Sequence, residues 1–173
     1  AGLPIIDTLK NLIASGDRIH KIQAVLSGSL NFVFNTYDGT APFYKTVEQA
    51  MEEGYTEPDP KIDLSGVDVA RKILILARES GLKMELSDIE NESFLSEESL
   101  NTENNEDFFS LLQEDESKFK AIYEDAAKDG AQLKYVAQLE DGKASVGLQK
   151  VDAAHPFYNL SGSDNIVLFF TDR

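Results

Sequence analysis

The 173-residue chain contains no cysteine. It therefore has no disulfide, no thiolate metal site and no cysteine nucleophile, and this absence fits a reducing compartment. Basic residues are also scarce, with 16 Lys and Arg against 31 Asp and Glu and a formal net charge of −15. Because that charge repels phosphate backbones and anionic membranes, we expect neither nucleic acid nor membrane as a partner.

Two sequence signals are missing as well. No apolar run approaches the ~20 residues that span a bilayer, and the first residues lack the charged n-region and cleavage site of a signal peptide, so we expect a cytoplasmic protein. No Gly-x-Gly-x-x-Gly fingerprint or phosphate loop occurs, so we expect any nucleotide-binding Rossmann domain to lie outside this chain. The length and the 42% hydrophobic content suit a single domain over residues 1–173.

Periodicity predicts an α+β fold with a mainly antiparallel or mixed β-sheet covered by helices on one side. Asp141-Gly142 is typical of a hairpin turn. The polar run from Asn101 to Asp107 is the part that we expect to be least ordered. Helices are predicted from Pro4 to Gly16 and at 30–37, 43–53, 63–80 and 118–128, and strands at 19–26, 132–139, 144–151 and 165–171.

Most of the potential chemistry lies in an acidic loop, residues 54–64, and in the predicted helix that follows it. Pro58 and Pro60 restrict the backbone of this loop, as a binding site requires. Several carboxylates close to one lysine suit a zwitterionic ligand, because carboxylates bind its ammonium while the lysine faces a developing alkoxide. The carboxylates are those of Glu57, Asp59, Asp63 and Asp68, and the lysine is Lys72.

A structural interpretation of the same residues is also open. Ser65 and Asp68 have the spacing of a capping box, and Asp68 and Lys72 form an i,i+4 pair that contributes only ~0.3–0.5 kcal/mol on an exposed helix. The Ser27-Gly28-Ser29 turn is either a simple turn or a place where backbone N–H groups meet a ligand carboxylate. His20 and His155 do not resemble a metal pair, and we expect structural roles for both.

Three segments resemble the homoserine dehydrogenase family. They are Gly54–Lys72, which is similar to the family signature almost position by position, Ala1–Ile6, and Leu26–Phe32. The run from Lys72 to Gly81, continuing to Glu90, resembles the bifunctional aspartokinase–homoserine dehydrogenase type. The resemblance implies reversible, NAD- or NADP-dependent reduction of L-aspartate 4-semialdehyde to L-homoserine, within threonine, methionine and isoleucine synthesis.

The resemblance also implies roles for single residues. Lys72 matches the proton donor to the carbonyl oxygen, and the backbone of Gly54 matches a coenzyme contact. The backbone carbonyls of Ala1 and Leu3 match part of a Na⁺ or K⁺ site, for which hard oxygen ligands are suited. The matching substrate-binding residues are Glu57, Asp68, Asp63, Tyr55 and Ser29.

The family further implies a homodimer formed through the sheet. Because hydride transfer needs coenzyme held against the aldehyde, we expect the 173 residues alone to be inactive. The alternative is a non-catalytic dimerisation or small-ligand-binding module, in which Asp68 and Lys72 only cap and pair.

Overall fold

The computed structural model describes residues 4–173, in which helices and strands alternate irregularly along the chain. The helices are α1 (Ile5–Ala14), α2 (Gly28–Thr36), α3 (Phe43–Glu52), α4 (Pro60–Leu64), α5 (Val67–Glu79), α6 (Glu97–Leu100), α7 (Asn105–Glu114) and α8 (Glu116–Lys128), with a 3₁₀ turn at Leu86–Asp88. The strands are β1 (Ile19–Val25), β2 (Glu90–Glu92), β3 (Gln132–Glu140), β4 (Lys143–Val151) and β5 (Ile166–Thr171). Within this range, no helix combines the length and the apolar character that a membrane span requires.

The five strands form one mixed sheet in the order β2-β4-β3-β1-β5. The pairs β4/β3, β3/β1 and β1/β5 are antiparallel, whereas β2 runs parallel to β4. The predicted α+β class with a mixed sheet is therefore confirmed. Strand β2 was not predicted, because its three exposed residues Glu90-Asn91-Glu92 show no apolar alternation.

The main core lies between the helices and one face of the sheet. Ile22 and Ala24 of β1, Tyr135 of β3 and Val146 of β4 point into it. Phe157 and three valines, Val25, Val136 and Val151, form a smaller cluster on the opposite face. The helices contribute buried apolar residues to the main core, among them Leu9, Leu30, Phe43, Ile73, Leu112 and Phe119.

The predicted hairpin between β3 and β4 is confirmed. Asp141 and Gly142 both have positive φ, 52° and 73°, as a type I′ turn requires. The register that follows pairs Glu140 with Lys143 and continues to Gln132 opposite Val151.

The prediction of one continuous helix over residues 63–80 is wrong. The chain instead forms α4 and α5, which are separated at Ser65-Gly66, where Gly66 has a φ of 77°. The Tyr135 hydroxyl lies 2.0 Å from the place that a Cβ on Gly66 would occupy. Tyr135 also donates to Asn91 Oδ1 at 3.3 Å, and Asn91 Nδ2 donates to the Ser65 carbonyl at 3.3 Å. Packing of this break against the sheet thus overrides the local helical pattern.

The expectation of poor order from Asn101 to Asp107 is also wrong. Asn104 caps α7 by accepting from the Asp107 N–H at 2.8 Å, and the helix begins at Asn105. The Thr102 carbonyl accepts from the Lys61 ammonium. One helix cap and one side-chain contact therefore order this polar segment, and neither can be inferred from composition.

Candidate functional site

The centre of the candidate site is the Leu26–Ser29 turn, which joins β1 to α2. Ser27 caps α2, accepting from the Leu30 N–H at 3.1 Å, and its Oγ also lies 3.1 Å from Ser29 Oγ. Ser29 is buried, and a Cβ on Gly28 would lie 3.1 Å from the Ser163 carbonyl oxygen. The turn is therefore held at its start by a helix cap and on one side by the chain that follows β4.

Lys72 approaches this turn from the first half of α5. Its Nζ donates to the Leu26 carbonyl at 2.9 Å and lies 2.8 Å from Asp68 Oδ2. The two side chains are 40% and 59% exposed, respectively. The ammonium is thus fixed by one carboxylate and one carbonyl, on a side chain that stays partly exposed.

The predicted Ser65–Asp68 capping box does not form. The N-cap of α5 is Gly66, which has no side-chain cap, and the Ser65 hydroxyl accepts from the Val67 N–H at 3.3 Å instead. The Asp68 carboxylate pairs with Lys72, so its structural interpretation as a helix cap is wrong. The i,i+4 pair is confirmed.

Asp63 lies on the other side of the turn, near the end of α4. Its Oδ1 accepts from Ser29 Oγ at 3.2 Å and its Oδ2 accepts from the Glu57 N–H at 2.9 Å. Burial raises the pKa of Asp63, and the hydrogen bonds from Glu57 and Ser29 oppose that rise. One carboxylate therefore ties the acidic loop to the start of α2.

The break at Gly66 explains how Asp63 and the Asp68–Lys72 pair approach the same turn. On one continuous helix, Asp63 and Asp68 would lie about 140° apart around the axis and face different surroundings. With two short helices, Asp63 contacts Ser29, and Asp68 holds the lysine that contacts Leu26. The geometry of the site thus depends on Gly66.

The other two carboxylates of the acidic loop differ from each other. Asp59 caps α4, accepting from the Lys61 N–H at 3.2 Å, so its side chain is committed to local structure. Glu57 is exposed, and its carboxylate has no hydrogen-bond or ion-pair partner within residues 4–173. Asn105 Nδ2 supports the loop from outside by donating to the Pro58 carbonyl at 2.9 Å. Glu57 is therefore the carboxylate that stays available for a ligand ammonium.

Gly54 and Tyr55 form the entry to the acidic loop. Gly54 follows α3 with a φ of 79°, and no atom lies within 4 Å of the place for a Cβ, so its backbone is open to a flat ligand. The Tyr55 ring lies with its centroid 4.6 Å from that of Phe32, and 39% of the residue is exposed. The contact between these two tilted rings, with 33° between their planes, thus fixes Tyr55 beside the second turn of α2.

The two histidines, for which structural roles are predicted, make no hydrogen bond or ion pair with these site residues within residues 4–173. His20 pairs with Asp172, and His155 lies 3.3 Å from Gln23 Oε1. Over the described residues, no three His, Asp or Glu side chains converge in a way that could hold a metal ion. Ala1 and Leu3, the predicted cation ligands, lie outside the described residues.

Sequence reasoning missed a second polar cluster, formed by Lys134 with Asn31 and Asn35. A signal for it exists in the sequence, since the two asparagines stand four residues apart in an otherwise apolar helix. Lys134 likewise interrupts an apolar strand. The Leu26 carbonyl was also missed, because a backbone acceptor has no signature in the sequence.

The family model for homoserine dehydrogenase matches residues 4–173. The chain belongs to the homoserine dehydrogenase family. A bifunctional aspartokinase/homoserine dehydrogenase of Zea mays is 45% identical over the whole chain, which spans 19% of that protein. The homoserine dehydrogenase of Schizosaccharomyces pombe is 44% identical, again over the whole chain, which spans 48% of it. These two identities do not separate the bifunctional from the monofunctional type.

Two solved structures agree with the fold. A Candida auris protein of unknown function superposes with a TM-score of 0.91 at 38% identity, covering 99% of this chain and 50% of that one. A putative homoserine dehydrogenase of Archaeoglobus fulgidus has a TM-score of 0.73 at 23% identity, covering 96% and 46%, which shows the shared fold alone. The chain thus spans half or less of each of these relatives.

Proposed function

We propose that this chain is the substrate-binding and catalytic part of an enzyme that reversibly reduces L-aspartate 4-semialdehyde to L-homoserine, in threonine, methionine and isoleucine synthesis. The supporting observation is the Lys72 ammonium, fixed at 2.8 Å by Asp68 and at 2.9 Å by the Leu26 carbonyl. Membership of the homoserine dehydrogenase family supports the choice of reaction.

Lys72 is the proposed general acid. NADH or NADPH, once bound, would supply the hydride that the aldehyde carbon receives, and negative charge would then develop on the carbonyl oxygen. Lys72 stabilises this oxygen and gives it a proton, so that the aldehyde gains one hydride and one proton and becomes an alcohol. In the reverse direction the Lys72 amine takes the proton back. The Asp68 carboxylate holds the ammonium at its place throughout.

The substrate is held by groups on both sides of the lysine. The exposed Glu57 carboxylate suits the substrate ammonium, since within residues 4–173 no other group competes for it. Asp63 keeps Ser29 and the backbone of Glu57 in place. The Ser27-Gly28-Ser29 turn, at the N-terminus of α2, suits the substrate carboxylate. Asp68 and Tyr55 complete the proposed pocket.

The coenzyme would be bound mainly by a nucleotide-binding Rossmann domain outside this chain, and Gly54 is its proposed contact here. The choice between NAD and NADP, the Na⁺ or K⁺ site at the Ala1 and Leu3 carbonyls, and the bifunctional type are proposals that rest on the resemblance. The cytoplasmic location stays a prediction from composition, and the maize relative is chloroplastic.

The full-length protein, with a nucleotide-binding domain, is expected to oxidise NADPH or NADH when aspartate semialdehyde is added, as followed by absorbance of the reduced coenzyme. The 173 residues alone are expected to give no measurable rate at the same concentration, because nothing holds the coenzyme at reaction distance. Omitting the aldehyde is the control. A full-length protein that binds the aldehyde but turns over neither coenzyme would favour the non-catalytic binding module.

We also propose a homodimer formed through the sheet face opposite the main core. On that face the cluster around Phe157 is already buried within the chain, but Phe170 of the edge strand β5 is 42% exposed and is an apolar residue available for contact with a second copy. Sedimentation equilibrium of the full-length protein is expected to give twice the monomer mass. Phe170→Asp is expected to shift the population toward monomer, and a monomeric wild type at micromolar concentration would contradict the proposal.

A further inference from the structure

A lysine ammonium is enclosed where β3, α2 and the segment after β4 meet. Lys134 has no exposed surface. Its Nζ donates to Asn31 Oδ1 at 3.1 Å, to Asn35 Oδ1 at 2.6 Å and to the Leu160 carbonyl at 2.5 Å. All three acceptors are neutral, and over residues 4–173 no carboxylate forms an ion pair with this lysine. An enclosed ammonium is costly unless every N–H is satisfied, and here three N–H groups meet three acceptors.

The two asparagines extend this contact to residues 160–164, which we call the 160–164 loop. Asn31 Nδ2 donates to the Asp164 carbonyl at 3.0 Å, and Asn35 Nδ2 donates to the carbonyls of Leu160 and Gly162, both at 3.0 Å. Because the lysine can only donate, each amide oxygen must face it and each amide NH₂ must face the loop. The ammonium therefore sets the orientation of both amides that bind the loop to α2.

The 160–164 loop reaches the candidate site. A Cβ on Gly28 would lie 3.1 Å from the Ser163 carbonyl oxygen, so the loop backbone rests on the turn at the start of α2. The same turn presents Ser29 to Asp63 and the Leu26 carbonyl to Lys72. A displacement of the loop would consequently remove the support of this turn on its outer side.

We propose that Lys134 is a positioning residue for the reaction: its ammonium joins β3, α2 and the 160–164 loop and thereby holds the Ser27-Gly28-Ser29 turn in place for the substrate. This inference rests on the proposed function. Lys134 touches no reacting atom, and Lys72 keeps its own contacts with Asp68. Loss of Lys134 therefore weakens substrate binding and leaves the proton donor intact.

Protonation of Lys134 adds a pH dependence. Burial lowers the pKa of Lys134 to about 8. The neutral amine has only two N–H groups for three acceptors, so the contact is complete below about pH 8 and loses one hydrogen bond as the pH rises through that value. Helix α2 carries no titratable side chain, and the β4 residue in register with Lys134 is Gln149. The segment after β4 contains titratable groups that form no hydrogen bond or ion pair with Lys134, namely Asp152, His155, Tyr158 and Asp164.

Steady-state kinetics of the full-length protein tests this role. Lys134→Met is expected to raise the KM for aspartate semialdehyde by about 10-fold, with kcat within about threefold of wild type and the KM for NADPH unchanged. Lys143→Met, an exposed lysine at the start of β4, is the matched control and is expected to change neither constant. A purely structural role would lower the melting temperature and the active fraction without changing the KM, which would overturn the proposal.

The pH profile gives a second readout. Wild-type KM is expected to rise above about pH 8 as the amine forms, and Asn35→Asp should move that rise to higher pH because a carboxylate stabilises the ammonium. If Lys134→Met does not fold, the same KM measurement on Asn35→Leu decides, because this variant removes one acceptor of the ammonium and both donations from Asn35 to the 160–164 loop. An active wild type with unchanged KM in these variants overturns this inference alone, whereas an inactive wild type overturns the proposed function and this inference with it.

Discussion

Replacing Lys72 with alanine in the full-length protein is expected to lower kcat for aspartate semialdehyde reduction by about 10²-fold or more, with substrate binding largely kept. The reason is that alanine can neither donate a proton nor stabilise the developing alkoxide. Steady-state kinetics at saturating NADPH measures the loss. Lys72→Arg is expected to be nearly as poor, because it keeps a positive charge beside Asp68 but cannot release a proton.

Stability separates this catalytic role from a structural one. Lys72 and Asp68 are 40% and 59% exposed, and a pair at that exposure contributes about 0–1 kcal/mol. Lys72→Ala should therefore leave the thermal melt nearly unchanged. Arg71→Ala, an exposed residue next to it on α5, is the control and should affect neither kcat nor melting. A loss of several kcal/mol in Lys72→Ala would instead favour a structural ion pair.

Gly66→Ala is expected to lower the free energy of unfolding by about 3 kcal/mol or more. Alanine is strained at a φ of 77°, and its Cβ would lie 2.0 Å from the Tyr135 hydroxyl and 2.8 Å from Cζ of the same ring. Tyr135 is buried and cannot move away cheaply, since its hydroxyl donates to Asn91. Urea unfolding of the 173-residue chain, followed by circular dichroism, measures the difference.

Gly81→Ala is the matched control for this experiment. Gly81 also has a positive φ, 90°, but no atom lies within 4 Å of its Cβ position. Only the backbone strain remains there, and we expect a loss of about 1 kcal/mol. Equal losses in the two variants would show that the Tyr135 contact adds nothing and that the break between α4 and α5 does not depend on it.

The strongly patterned segments could be predicted from the sequence. Ile22 and Ala24 alternate with polar residues in β1, and Asp141-Gly142 can adopt the two positive φ values that its turn requires. The spacing of Asp68 and Lys72 predicts their pairing, because residues four apart are neighbours on a helix. Local rules are sufficient in each of these cases, since the partners are close in sequence.

The contacts that decide the site are distant in sequence. The Leu26 carbonyl meets Lys72 across 46 positions, and Ser29 meets Asp63 across 34. The capping-box pattern at Ser65–Asp68 gave the wrong result because Tyr135, from β3, occupies the space beside Gly66 and ends the helical run there. The polar segment around Thr102 is likewise ordered by a residue distant in sequence, since the Lys61 ammonium donates to the Thr102 carbonyl.

The sequence alone was sufficient for helices α1, α2, α3 and α8, for four of the five strands, for the absence of cysteine chemistry, and for the acidic segment that matches the homoserine dehydrogenase family. It did not predict α6, α7 or the break between α4 and α5. Two features of the site depend on tertiary contacts instead. Asp63 of α4 and Lys72 of α5 both contact the Leu26–Ser29 turn, and Lys134 is enclosed by α2 and the 160–164 loop. The physical reason is that periodicity and capping act over a few residues, whereas satisfying a buried ammonium or fitting a tyrosine against a glycine requires partners that folding alone brings together.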